Sequence, residues 1–536
     1  MPIKARETAS ALFTNCIVWQ PDGTFSEAFG FENGIINFSG SSSEAQKIKQ
    51  NYDDVLDLKG KLVLPSFTDG HMHLVYGSLM LSRIDCTAVN SPEELKSRIL
   101  VYRKNNPGKD WLVGGNLDIA KVFKSFEIEK GAVREFLDSI VHDKPVYLAN
   151  YDYHSAVCSS AVIEASGLTR KLNDFTSDEV TIDKTGRPAG VVKEKAFEFV
   201  RNSVPPSSLQ ERLNAVEKMI AVLHSYGITS VSDITKTSSP EVFNALFQQN
   251  KLKLRINSYL PFEEFNNFKV YLEQTENIPE DLFEFKGFKG FYDGALGSET
   301  GLFSKNYIGK NYNGYKTDIA ESGRLLELAK IIDKAGKQII IHAIGDKAVS
   351  EVLDIAEVLV MENGMRDRRL RIEHAQHINE EDFDRFKKLN VIVSAQPLHM
   401  KYDIGIAKEK LPEIIIKRTH NYKALMDLGV TVNFGTDFPI VEANPFHNIE
   451  LAVTRKTDND TFLPEYKIDM HNSIKAYTIN NTYASFNEHK SGSIEKGKFA
   501  DFIVMEDNLF ELPENEISSA RVKSTYLNGE EVYRLA

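Results

Sequence analysis

His71 and His73 flank Met72 directly after the run PSFTDG, and this pair is the sharpest chemical feature of the sequence. Residues i and i+2 of a β-strand point to one face, so both imidazoles could enter one space and bind one metal ion. Taken alone, a His-x-His arises by chance in many proteins. Further donors change the balance: His342 closes QIIIHAIGD, His374 closes LRIEHAQH and Asp437 closes VNFGTDFP. Each ends an apolar run, where an unpaired polar side chain is costly. Together the five supply enough nitrogen and oxygen donors for two divalent cations with positions open for water. A single buried histidine is usually a satisfied core residue, but that reading does not extend to five donors at the ends of candidate strands.

Two close cations also need an anion between them. Lys289, in GFKGFYDGALGSETG, is the remaining strand-end candidate. A lysine ammonium would repel the metals, but desolvation and nearby cations favour the neutral amine, which can take up carbon dioxide as a carbamate. The alternative is an exposed or salt-bridged lysine, and spacing alone leaves that choice open.

Positioning such residues takes a particular scaffold. Apolar β-rich runs alternate with amphipathic helical stretches through the middle of the chain, the pattern of a parallel sheet with crossover helices. Eight candidate strands lie at LVLPSFTDGHMHL, ITSVSDI, LKLRINSYL, GFKGFYDG, QIIIHAIG, LRIEHA, VIVSAQP and VNFGTD. Eight β/α units make a TIM barrel, whose active site lies at the C-terminal ends of its strands. Short strands and turns at both ends of the chain, including an Asn528-Gly529 hairpin signal, predict a small β-domain shared by the two termini. The expected division is a β-sandwich from residues 1–64 and 490–536, a distorted (β/α)8 barrel from 65–90 and 223–489, and an inserted subdomain over 91–222 with a strand at PVYLANYD. The insertion is expected because the gap after the first strand far exceeds one crossover helix.

Bulk properties narrow the function class. The chain has 536 residues and a formal net charge of −12. An acidic balance argues against general affinity for nucleic acid or anionic membranes and favours a small-molecule substrate. Three cysteines, Cys16, Cys86 and Cys158, form no Cys-x-x-Cys pair, so neither a disulfide framework nor a thiolate zinc site is expected. The start MPIKARETASALFTN lacks a secretory apolar run, and no stretch approaches a membrane span. The expectation is a cytoplasmic enzyme; a homo-oligomer stays open.

The sequence resembles the amidohydrolase superfamily, in the branch of N-substituted formamide deformylases and related metal-dependent hydrolases. The resemblance is carried by LVLPSFTDGHMH, DKTGRPAGVVKEKAF, GFYDGALGSETGLF, IIIHAIGDKAV, RLRIEHAQHI, NFGTDFPI with Asn444-Pro445, and SGSIEKGKFADFIVME. It implies that His71, His73 and Asp437 hold one metal, that His342 and His374 hold the second, and that carbamylated Lys289 bridges them. Zinc is the expected ion. Some relatives bridge with a carboxylate instead, which makes Glu194 of GVVKEKAF the alternative ligand.

The activity expected from these residues is hydrolysis of a non-peptide carbon–nitrogen bond, such as an N-acyl or N-formyl amine. The metals would activate water, and Asp437 would take its proton and pass it to the departing amine. Ester hydrolysis, lyase or isomerase chemistry, or a non-catalytic binding role, are the alternatives on the same scaffold. His399 is the candidate for substrate contact; His154 could touch substrate or make a structural hydrogen bond, and Asp293 could serve a turn or the substrate side. Tyr153 is set aside, His377 is expected to face a loop, and Asp346 is read as capping the helix it opens.

Overall fold

The computed structural model describes residues 10–126, 131–151, 154–234, 239–457 and 460–536. The chain from Glu217 to Ala536, with the part up to Leu74, forms one compact unit, and Val75–Val216 forms another. Among the described residues no helix is long and apolar enough to cross a membrane.

The first unit holds the barrel. Its strands are β1 (Phe67–Met72), β2 (Ile228–Ile234), β3 (Arg255–Pro261), β4 (Phe283–Phe291), β5 (Gln338–Ala343), β6 (Arg371–His374), β7 (Ile392–Ala395) and β8 (Val432–Phe434). They pair in parallel in that order, giving an eight-stranded sheet among the described residues. Runs such as Ile339-Ile340-Ile341 are buried throughout because helices cover the outer face and side chains fill the inner one. The expected first strand divides in two. Leu62–Pro65 finishes a long strand of the terminal sheet, Asp54–Pro65, and the barrel starts at Phe67. Pro65 has no N–H to continue a ladder, so the chain changes sheets there.

The barrel is nearly closed. Between β8 and β1 there is only an isolated bridge, Met72 to Phe438, among the described residues. Two glycines let the strands approach: a Cβ on Gly70 would lie 2.3 Å from Asn433 Nδ2, and one on Gly435 would lie 2.4 Å from the His71 nitrogen. Side chains then stitch the seam. Asn481 donates from Nδ2 to Thr68 O at 2.6 Å and Phe434 O at 2.8 Å, and accepts from Asn433. Asp69, fully buried, accepts from the backbone of His71 and from both the backbone and hydroxyl of Thr436. Asp69→Ala therefore orphans three buried donors, and we expect a loss of about 2–5 kcal/mol. It should appear as a lowered thermal midpoint; an unchanged melt would show that the seam does not depend on this carboxylate.

Strands from both chain ends form a single eight-stranded sheet among the described residues, where a sandwich was expected. Phe13, Phe29, Phe502 and Tyr526 fill its core, with Phe13–Phe29 stacked at 4.8 Å and Phe502–Tyr526 at 4.3 Å. Its last hairpin turns at Asn528 and Gly529, both at positive φ as a type I′ turn requires.

In the second unit six strands form a mixed sheet among the described residues. It includes Val146–Asn150, the strand expected at PVYLANYD, and also Ile84–Asp85, which pairs with Leu112–Leu117 and so carries the unit's sheet upstream of residue 91. Cys16, Cys86 and Cys158 are all free and buried.

Candidate metal centre

The donors stand at the carboxyl ends of barrel strands, where a TIM barrel gathers its chemistry. His71 lies near the end of β1 and His73 just beyond it; His342 is on β5, His374 ends β6, and Asp437 follows β8. The structure brings them together. Asp437 Oδ1 is 3.3 Å from Nε2 of both His71 and His73. The His71 and His374 rings are 5.2 Å apart between centroids, and the His342 and His374 rings 4.4 Å apart. Backbone contacts hold the ends in register: Asp437 donates to His71 O at 2.6 Å and His73 to Phe438 O at 2.8 Å.

Lys289 rises from β4 into the same space with no exposed surface, and its Nζ has no hydrogen-bond partner among the described residues. Burial brings its ammonium down to about 8, against the pull of the Glu373 and Asp437 carboxylates. A buried, easily deprotonated and unpartnered amine beside imidazoles is the chemistry that a carbamate needs.

Electrostatics divide the donors. Burial and Lys289 push the His71 imidazole down, but Asp437 and Glu373 outweigh them and leave it raised. His342 falls to about 3, and His374 well below its ordinary value, both mainly through burial. Burial alone would raise Asp437, yet neighbouring imidazoles, His71 foremost, hold its carboxyl well below the usual range. Neutral imidazoles and an ionised carboxylate are the states in which these groups bind cations.

Two residues behind the donors escaped the sequence reading. Glu373 accepts from Arg371 Nε at 2.8 Å on one oxygen and pairs with His71 Nδ1 on the other. That contact leaves His71 Nε2 facing Asp437, the carboxylate–histidine arrangement that orients metal-binding imidazoles. Arg371 also donates to Gly70 O at 2.7 Å, tying β6 to β1 across the barrel. The i, i+2 spacing of Arg371 and Glu373 in a short strand was the available signal, since both side chains must share a face.

The local backbone is strained where the donors sit. His374 and Ala375 have φ of +72° and +41°, and Asp437 +59°. For residues other than glycine each costs on the order of 1–3 kcal/mol and persists only where surrounding structure enforces it. Here Tyr422 OH donates to His374 O at 2.9 Å and the His420 nitrogen to Gln376 O at 2.6 Å. Buried Arg455 in turn donates to the carbonyls of His420 and Thr419, fixing that turn.

The other expected residues divide. His399 reaches the cluster, with Nε2 4.0 Å from Asp437 Oδ2. Asp293, for which a turn role and a substrate-side role were both open, accepts from the backbone nitrogens of Leu302, Ile344 and Gly345, the bonding of a turn anchor, and lies 3.6 Å from His342 Nε2. His154 and Glu194 pair at 3.3 Å in the second unit, with side chains 70% and 65% exposed. His377 is fully buried and faces loops, edge-on to Phe303 and bonded to Thr419. Asp346 opens its helix but accepts from Ser304 instead of capping. Tyr153 lies outside the described residues.

The donor set fits a divalent cation. His71, His374 and Asp437, all buried, offer ligand atoms within 4.8 Å of one another, and His374 Nδ1 has no hydrogen-bond partner among the described residues. Imidazole and carboxylate in this proportion suit zinc, manganese, iron or nickel.

Comparisons with known proteins agree on the class. A family profile described as Amidohydrolase family matches residues 54–533. Protein LONG AFTER FAR-RED 3 of Arabidopsis thaliana is 28% identical, over 98% of this chain and 92% of its own. N-substituted formamide deformylase of Arthrobacter pascens is 25% identical, over 92% of this chain and 93% of its own. Among solved structures, an uncharacterized metal-dependent hydrolase from Pyrococcus horikoshii superposes with a TM-score of 0.78 at 25% identity, covering 94% of this chain and 99% of that one.

Proposed function

The chain belongs to the amidohydrolase family and is a hydrolase, and from that premise we propose that it cleaves a non-peptide carbon–nitrogen bond of a small N-acyl or N-formyl amine. The observation that carries this reading is the convergence of four histidines and Asp437 around a buried, unpartnered lysine at the barrel mouth. The formamide deformylase relative, aligned along nearly the whole chain, supports the bond type.

In this reading His71, His73, His342, His374 and Asp437 would hold divalent metal, with zinc the expected ion, and Lys289, as a carbamate, would add an anionic oxygen ligand. Bound there, the ions supply the Lewis acidity that makes water nucleophilic near neutral pH. The protein does the rest. Glu373 fixes the His71 ring through Nδ1. Asp437, ionised and in contact with two imidazoles, takes a proton from the attacking water as its oxygen bonds to the carbonyl carbon. It returns that proton to the amine nitrogen as the carbon–nitrogen bond breaks, because an unprotonated amide nitrogen is a poor leaving group. Glu194 remains the alternative anion; its exposure and its pairing with His154 favour Lys289 over it.

Purified protein reconstituted with zinc should carry about two ions per chain and release free amine from members of an N-acyl and N-formyl amine panel. Elemental analysis and an amine-specific assay test both parts. Consumption of esters with no amine released from any amide would move the activity to ester hydrolysis, and metal content near zero would remove the binuclear reading.

A further inference from the structure

Two groups near the reacting atoms could handle a proton, Asp437 and His399, and the surroundings of His399 separate their roles. His399 opens the helix His399–Lys410 after β7 and is buried. Its Nε2 faces Asp437 Oδ2 at 4.0 Å and has no hydrogen-bond partner among the described residues. Its Nδ1 lies 3.5 Å from Gln376 Nε2, on the loop after β6. An imidazole in this position could carry its proton on either nitrogen.

Asp403 decides between them. It stands four residues after His399, one turn along the same helix face. Its Oδ2 lies 3.0 Å from Gln376 Nε2. A carboxylate only accepts, so the amide must turn its NH2 toward Asp403, which leaves Gln376 Oε1 without a partner among the described residues. The same NH2 group meets His399 Nδ1. Two donors cannot face each other, so Nδ1 is the bare nitrogen and the proton sits on Nε2, toward the metal centre.

We propose that His399 is a neutral imidazole whose Nε2–H donates a hydrogen bond to the oxygen of the reacting carbonyl as that oxygen gains negative charge, with Gln376 and Asp403 as the residues that fix its tautomer. The proposal rests on the hydrolase reading of the same site. Because the bare nitrogen of His399 is turned to Gln376, the imidazole cannot accept a proton on the side of the attacking water, and Asp437 is left as the proton acceptor. No bond to His399 forms or breaks; the N–H strengthens its hydrogen bond as the carbonyl becomes tetrahedral.

The tautomer is measurable without a substrate. In metal-loaded protein labelled with 15N-histidine, two-bond proton–nitrogen correlations show which ring nitrogen carries hydrogen, with His399→Gln identifying the His399 signals. The expected result is hydrogen on Nε2 in the wild type, and a shift toward the Nδ1–H form in Asp403→Asn, where Gln376 is free to turn. Hydrogen on Nδ1 in the wild type overturns the proposal, as does an unchanged tautomer in Asp403→Asn together with Gln376→Leu. On any amide that is hydrolysed, His399→Ala should lower kcat by about 10²–10³-fold, the scale of one lost oxyanion donor. His399→Gln, which keeps an N–H, should recover part of that loss, and equal losses in the two variants overturn the donor role. If no amide is turned over, the hydrolytic reading fails, while the tautomer measurement still decides this one.

Discussion

Asp437→Asn is expected to lower kcat by about 10²–10⁴-fold while leaving the fold and most of the metal in place, because it removes a proton acceptor and little else. Asparagine matches aspartate in size and keeps one oxygen to face His71 and His73, which lie 3.3 Å from the present Oδ1. It also tolerates the φ of +59° found at this position, since asparagine and aspartate enter the left-handed region more readily than other side chains. The measurement is steady-state turnover of the best amide substrate at matched metal content, with a thermal melt as control. Near-normal turnover by a folded, metal-loaded Asp437→Asn would assign the proton transfer to another group.

Lys289→Ala is expected to lower metal occupancy and activity together, activity by at least about 100-fold. The argument runs from the amine. Burial brings Lys289 to about 8, so a useful fraction of its nitrogen is uncharged near neutral pH. That lone pair can bond to the carbon of carbon dioxide, and one N–H proton leaves to solvent, turning a cationic side chain into an anionic one. Short carboxylates added to the alanine variant should partly restore both properties by filling the vacated space. Lys289→Met separates this from packing. An uncarbamylated lysine in so dry a place would be replaced by methionine at little cost in stability or metal, whereas a bridging carbamate would be lost with its metals. Full metal content in Lys289→Met would show that the metal site does not need a carbamate on this lysine.

Much of the architecture was legible because its signals are periodic or positional. Eight apolar runs predicted eight barrel strands, and the two-residue period of a strand placed His71 and His73 on one face. The convergence of His342, His374 and Asp437 followed from their positions at strand ends. What escaped depends on partners far away in sequence. Glu373 sits beside His374 in an ordinary strand, and nothing local says that it meets His71 across the barrel. Asn481 lies in a polar helix segment, and its work is done on Thr68 and Phe434. Pro65 was the local signal that the first run splits between two sheets. Asp346 shows the opposite failure: a carboxylate opening a helix suggests capping, but here it accepts from Ser304, a choice set by tertiary packing.

The seam between β8 and β1 also fixes when this site can exist during folding. Its stitches join Asp69 to Thr436, 367 positions apart in sequence, and the donors His71 and Asp437 lie on opposite sides of it. A nascent chain that has made seven strands therefore owns every histidine of the cluster and still has no site. Bringing such distant segments together is an entropically slow step, and a cation that binds only the closed ring adds its binding energy after that step. The metal would thus act as a latch on the finished barrel, slowing its reopening without hastening its assembly.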